Sequence, residues 1–230
     1  MYESWKDDFY EGFPRKRWLE RYAEEFDTVE INTTFYRLTK PETVADWVRR
    51  TPEDFVFAAK ASRYLTHIRR LREFDTGLKR YYDSIAPLAE SPRMGPVVWQ
   101  FPATFRRDDE RLAAALEKLP AGRHCFEFRH ESWFTGEVYD LLSRHGAALV
   151  IGDSPKWPFQ AHVLTTDWTL VRFHHGRRGR RGNYSERELE EWAQRIREWR
   201  SRAEVFAYFN NDWEQFAIGN ARTLRRLLAA

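Results

Sequence analysis

The residues of this sequence that could move a proton or hold a negative charge come in pairs, each pair split by one residue. Glu127 and Arg129 form one pair in Glu127-Phe128-Arg129-His130, Arg172 and His174 a second in Arg172-Phe173-His174-His175, and Tyr208 and Asn210 a third in Tyr208-Phe209-Asn210-Asn211-Asp212. Glu30 and Asn32 repeat the spacing upstream, with Tyr36 shortly after, and Lys60, Gln100 and Asp153 stand at the ends of other apolar runs. On an extended strand, residues two apart share a face. The partners one residue off, such as Ile31, Phe128, Phe173 and Phe209, can then face the other way. Glu127 or Glu30 would serve as general acid or base, because a carboxylate in a crowded pocket can be raised toward neutral. His174 is the alternative base, with an ordinary pKa of about 6.5. Lys60, Arg129 and Arg172 would hold an anion. Asn32, Gln100, Asn210 and Asn211 would orient it by neutral hydrogen bonds, and Tyr36, Asp153 and Tyr208 complete the candidate lining. The chemistry this set suits is binding, and hydrolysing or otherwise transforming, a phosphate-bearing or anionic substrate. Glycoside chemistry at two carboxylates ranks lower, since a sequence gives no carboxylate separation.

A divalent metal is considered and not favoured. Glu30, Glu127, Asp153 and His174 could converge as ligands. No close-spaced motif such as His-Glu-x-x-His is present, and Lys60, Arg129 and Arg172 would oppose a cation. Alanine at Glu127, Arg129 or Arg172 is expected to weaken ligand binding while leaving the melting temperature within a few degrees.

Seven apolar runs would have to position these groups: Thr28–Ile31, Phe55–Ala59, Pro96–Gln100, His124–Phe128, Ala147–Ile151, Thr169–Phe173 and Glu204–Phe209. Each has strand length and is rich in β-branched or aromatic residues. Helical stretches separate them: Arg15–Glu25, Thr43–Arg50 after Pro41, Glu73–Leu88, Asp108–Leu119 with Asp108 as cap, Gly136–His145 before Gly146, Ser185–Arg202 opening close to a capping box, and Glu214–Leu228. Strand followed by helix, repeated about every 30 residues, implies parallel strands with crossover helices. The fold class expected is α/β, a TIM-like (β/α) barrel in one domain over residues 1–230, and functional groups in such folds sit at the C-terminal strand ends. A doubly wound sheet would carry a Gly-rich turn after its first strand, and none is present. Seven strands are one short of eight, so the first is expected to be missing or truncated before Ser4-Trp5-Lys6.

Arginine gives a second signal. Arg63, Arg69, Arg70 and Arg72 follow the Lys60 run, Arg106 and Arg107 follow Gln100, and Arg177, Arg178, Arg180 and Arg181 follow His174-His175-Gly176. Barrels often bind phosphate at loops after the seventh and eighth strands, which makes Arg177 and Arg178 candidates. Overall the chain is nearly neutral, with 38 Lys and Arg against 35 Asp and Glu, so composition alone predicts no nucleic-acid partner. The alternative function is still nucleic-acid binding, with or without cleavage. The Arg-rich loops would contact phosphates, and Trp5, Tyr36, Tyr64, Phe105, Trp133, Trp157 and Tyr184 would stack on bases. A non-catalytic scaffold is a third reading. The lone Cys125 allows no intrachain disulfide, no run of 18 apolar residues exists, and no signal peptide is recognisable. A cytoplasmic location without membrane contact is expected, with oligomeric state open.

The runs quoted above resemble the DUF72, or YecE-like, family. The matching segments are Trp5 with Phe9-Tyr10, Phe26 to Asn32 with Thr34-Phe35-Tyr36, Phe57 to Lys60 with Thr66-His67, Gln100-Phe101-Pro102, Glu127 to His130 with Ser132-Trp133, Asp153-Ser154-Pro155, Arg172-Phe173-His174, and Tyr208 to Asn211. They follow one another over nearly the whole chain. The resemblance implies a TIM-barrel fold and a strand like Ile-Gly-Thr-Ser-Gly-Trp ahead of Trp5. It carries no established chemistry.

Overall fold

A computed structural model describes residues 3–229, and the chain forms two compact units, Met1–His124 and Cys125–Ala230. Every strand run read from the sequence is a strand, with ends shifted by at most two residues.

The first unit opens on packed rings. Trp5, Phe9, Tyr10 and Trp18 are buried, and Tyr10 stacks on Trp18 with centroids 4.5 Å apart. The segment makes short-range turns, with 3-10 helices at Glu3–Trp5 and Arg15–Arg17, and the packed rings add large apolar surfaces that hold it. Helix α1 (Trp18–Ala23) leads to β1 (Thr28–Ile31), one-turn α2 (Thr33–Tyr36), α3 (Pro41–Arg49), β2 (Val56–Lys60), α4 (Phe74–Ala89), β3 (Met94–Gln100) and α5 (Asp109–Leu116). β1 pairs with β2 and β2 with β3, both parallel. Register sets Val29 beside Phe57 and Glu30 beside Ala58. Val29, Ile31 and Phe57 pack with Leu19, Val44, Phe55 and Leu88 of the surrounding chain, so Glu30 takes the opposite face, as the alternation predicts. Asp108 caps α5 by accepting from the Arg111 amide at 3.1 Å.

The second unit carries β4 (His124–Glu127, entering at Cys125), α6 (Gly136–Arg144), β5 (Ala148–Asp153), β6 (Trp168–Phe173), α7 (Glu186–Arg200), β7 (Glu204–Phe209) and α8 (Phe216–Ala229). β4 pairs with β5, β5 with β6 and β6 with β7, all parallel. Ile151, Val171 and Phe173 join Leu189, Trp192 and Ile196 of α7 in one core, and Val205, Ala207 and Phe209 pack against it. Arg172 and Tyr208, paired in register, therefore share the other face. Ser185 forms a complete capping box with Glu188.

Two short elements escape periodicity. Thr33–Tyr36 is too short and too β-branched to read as a helix, yet the Thr34 hydroxyl donates to the Lys60 carbonyl at 2.7 Å and fixes it there. Tyr64–Ile68 is a π-helical turn.

Candidate functional site

β4 ends at Glu127, whose side chain is 1% exposed, and three cations or donors from the second unit converge on it. The Arg172 guanidinium, 2% exposed, donates through Nη1 to Oε2. His174 Nε2 lies 2.9 Å from Oε1, so the carboxylate accepts the Nε2 proton. Arg129 Nε and Nη2 approach the same oxygen at 3.4 Å. With its amide oxygen turned inward, Asn210 accepts from Arg172 Nε at 3.2 Å and Nη2 at 3.1 Å. Opposite Arg172 on β5 stands Gly152, which adds no side chain to that row. Burial alone would raise the Glu127 carboxyl. The positive charge of Arg172, then His174 and Arg129, outweighs it and holds the group well below the usual carboxylate range. The rise toward neutrality expected of a crowded carboxylate does not occur at Glu127, because an opposite charge in direct contact reverses the sign.

Trp157, from the loop after β5, completes the cluster. Its ring carries the Arg129 guanidinium 4.3 Å from the centroid and meets the His174 ring edge-on at 5.5 Å. Sequence reading placed Trp157 among base-stacking loop rings and left it out of the site. Its partner choice depends on loop geometry, which leaves no periodic signal.

Glu127, Arg129, Arg172, His174 and Asn210 are thus brought together. Asp153 is not among them. It lies on the Phe173 side of the sheet, where the Trp192 indole donates to its Oδ2 at 2.9 Å. Burial raises its carboxyl, with the Trp192 and Tyr184 hydrogen bonds opposing. A group whose folded pKa lies above its unfolded value destabilises the fold as pH rises through that interval. Asp153→Asn keeps an oxygen for Trp192, and is expected to raise the melting temperature at pH 7 by a few degrees. The gain should vanish near pH 3, and a lower melting temperature at pH 7 would refute it.

Asn211 is buried and its amide donates to the Gly182 carbonyl (3.1 Å) and to Asn220 Oδ1 (2.7 Å), tying the β7 end to the arginine loop. Nothing in the sequence flagged Asn220, a polar residue on the buried side of α8. Tyr208 is buried on the Arg172 face. Arg177 lies 4.0 Å from Asp153, its side chain more than half exposed, while Arg178 pairs with Glu191 at 2.7 Å. Arg180 and Arg181 both pair with Glu214. The arginine loop is therefore largely neutralised by its own neighbours.

In the first unit, Glu30 and Asn32 are half-buried, Tyr36 is 75% exposed, Gln100 is buried at the end of β3, and Lys60 Nζ sits 4.2 Å over the Phe35 ring. Of the rings proposed to stack on bases, Trp5, Phe105, Trp133 and Tyr184 are buried in the core instead. Among the described residues, no three His, Cys, Asp or Glu side chains gather as a metal site would require. No helix among them is long and apolar enough to cross a membrane.

The sequence pattern described as "Protein of unknown function DUF72" matches residues 1–230. The chain belongs to the DUF72 family. The UPF0759 protein YecE of Escherichia coli (strain K12) is 34% identical over 209 residues, covering 79% of this chain and 74% of YecE. The UPF0759 protein YunF of Bacillus subtilis (strain 168) is 27% identical over 248 residues, covering 91% and 86%. A solved DUF72 structure from Thermotoga maritima MSB8 is similar over all of this chain and 96% of its own, at TM-score 0.88 and 30% identity. One from Enterococcus faecalis V583 aligns over 100% and 94%, at TM-score 0.87 and 23% identity. The fold of the whole chain is thus the DUF72 fold, α/β, with parallel strands alternating with helices in the order expected of a (β/α) barrel.

Proposed function

We propose that the Glu127 cluster binds, and acts by proton transfer on, a phosphate-bearing or otherwise anionic substrate. The observation that carries this reading is the 2.9 Å contact between His174 Nε2 and a fully buried, ionised Glu127. A carboxylate locked as an anion does not trade protons near neutral pH. It holds the imidazole in one tautomer and stabilises the imidazolium that forms. Glu127 is then a positioning residue, and His174 is the group that carries the proton. Arg129 is the anion anchor. Its bonds to Glu127 are at the long limit for hydrogen bonds, its face rests on Trp157, and its side chain is 24% exposed. Arg172, fully buried, fixes Glu127 rather than substrate.

Nucleic-acid binding through the arginine loop draws less support, since Arg178, Arg180 and Arg181 already face carboxylates and most of the candidate stacking rings are buried.

The test is a thermal-shift screen of phosphorylated and carboxylated metabolites, followed by calorimetry on the best hit. Arg129→Ala is expected to weaken binding at least about tenfold, the scale of one charged hydrogen bond, with the melting temperature within about 3 °C. Wild-type affinity in that variant would remove Arg129 and the proposed pocket with it. Binding of single-stranded oligonucleotide that collapses with added salt would favour the polymer reading instead.

A further inference from the structure

We propose a second anion site, wholly within the first unit, that takes a ligand bearing two or more phosphate groups. It is independent of the Glu127 cluster. The segment between β2 and α4 and the segment between β3 and α5 enclose a cleft of about 380 Å³. That volume falls within the range of small-molecule sites, roughly 300–1,000 Å³. Six guanidinium side chains line it: Arg69, Arg70, Arg72, Arg106, Arg107 and Arg111.

Three of them are neutralised locally. Arg69 pairs with Glu73 at 3.1 Å, Arg107 with Asp109 at 2.6 Å and Arg111 with Asp108 at 2.7 Å. Arg70, Arg72 and Arg106 have no carboxylate partner among the described residues. Six guanidiniums against the carboxylates of Glu73, Asp108 and Asp109 leave three positive charges around one cleft. Like charges at this density repel one another and are stabilised by a matching anion. Di- and triphosphate groups supply two to four negative charges within a few ångströms, and guanidinium forks match their oxygens.

The backbone here is arranged rather than relaxed. Arg70, Leu71 and Glu73 all adopt left-handed φ, at 50°, 67° and 47°, immediately after the π-helical turn Tyr64–Ile68. Such conformations each cost on the order of 1 kcal/mol or more in non-glycine residues, and they cluster at ligand sites. Within this segment Arg70 reaches across the cleft, where Nη2 donates to Thr104 Oγ1 at 3.1 Å and joins the two segments. A small ligand fits better than a nucleic-acid strand. Strand sites combine a basic track with several open rings, whereas Phe105, which lines the cleft, is buried with Arg111 lying over its ring, and the exposed Tyr64 nearby is already taken up by Arg69.

The experiment is titration calorimetry of the full chain with inorganic phosphate, pyrophosphate and tripolyphosphate. Affinity is expected to rise in that order. The Arg72→Ala/Arg106→Ala double variant should lose at least about tenfold in tripolyphosphate affinity with an unchanged melting temperature, since both side chains reach solvent. In an Arg129→Ala background the same double change should still cost at least about tenfold in tripolyphosphate affinity, which separates this site from the Glu127 cluster. No heat with tripolyphosphate at about millimolar concentration, or wild-type affinity in the double variant, would overturn the proposal. So would a short single-stranded oligonucleotide that binds more tightly than tripolyphosphate and is lost in the same double variant.

Discussion

Glu127→Ala is expected to lower the melting temperature by about 6–20 °C. The change leaves the Arg172 guanidinium, 2% exposed, without its anion. Breaking a buried pair from one side costs about 3–5 kcal/mol, and a chain of this size loses roughly 2–4 °C per kcal/mol. Arg172→Ala should cost about as much, because Glu127 is then the stranded charge. The sequence alone suggested that alanine at Glu127, Arg129 or Arg172 would each spare stability. Burial separates them: Arg129 alone, a quarter exposed, can be removed cheaply. The pair can be distinguished from a simple packing role by removing both charges. Glu127→Met with Arg172→Met is expected to recover most of the loss while leaving His174 without the carboxylate that holds its tautomer. Differential scanning calorimetry of the wild type, Glu127→Met, Arg172→Met and the double variant closes the cycle, and additive losses in the double variant would show that the two residues are not coupled. Lowering the pH gives the same interaction from another side. Glu127 titrates well below an unfolded carboxylate, so its contribution is complete above about pH 4.5 and is lost as pH falls further.

Gly176→Ala is expected to cost about 3 kcal/mol, or roughly 6–12 °C. A Cβ at this position would stand 2.2 Å from the Asn183 carbonyl oxygen, 2.7 Å from its carbon and 2.9 Å from the Tyr184 Cα. All three are backbone atoms, so no rotamer change relieves the contact. The Gly176 amide donates to the Gly182 carbonyl at 2.9 Å, and the whole loop must open to admit a methyl group. Opening it also pulls on Asn220, which accepts from the Tyr184 amide and donates to the Tyr184 carbonyl, both at 3.3 Å. Gly136→Ala is the control. Nothing lies within 4 Å of a Cβ there, and the residue opens a helix, so the melting temperature should hold or rise slightly. Equal losses in both variants would show that alanine is tolerated at neither for reasons other than this contact.

Much of the fold was legible because two periods dominate the chain. The Ser185–Glu188 box, the Asp108 cap and all seven strands rest on local chemistry that a sequence displays directly. The heart of the site was legible for the same reason. A charged residue every second position, as at Glu127 and Arg129 or Arg172 and His174, is unusual in a buried strand and marks one face. Asp153 shows where that reasoning fails. The run Ala148–Gly152 is apolar on both faces, so nothing in it says which side Asp153 joins, and register gives the helix side. Trp157, Gln160 and Asn220 were missed because loop and helix positions carry no alternation. Gln160, for instance, bridges the Gly152 amide and the Phe128 carbonyl from a loop position eight residues after Gly152. The pairing of Arg178 with Glu191, and of Arg180 and Arg181 with Glu214, spans 13 to 34 residues and has no local signature.

The strict alternation of β6 limits how this chain can change length over evolution. Arg172 and Phe173 are adjacent, one reaching Glu127 and the other stacked 4.4 Å from Phe209 in the helix-side core. Deleting or inserting one residue anywhere in Trp168–Phe173 would exchange the two, sending a guanidinium into oil and a phenyl ring onto an ionised carboxylate. Descendants of this gene can therefore lengthen or shorten freely only where the chain is not counting by twos.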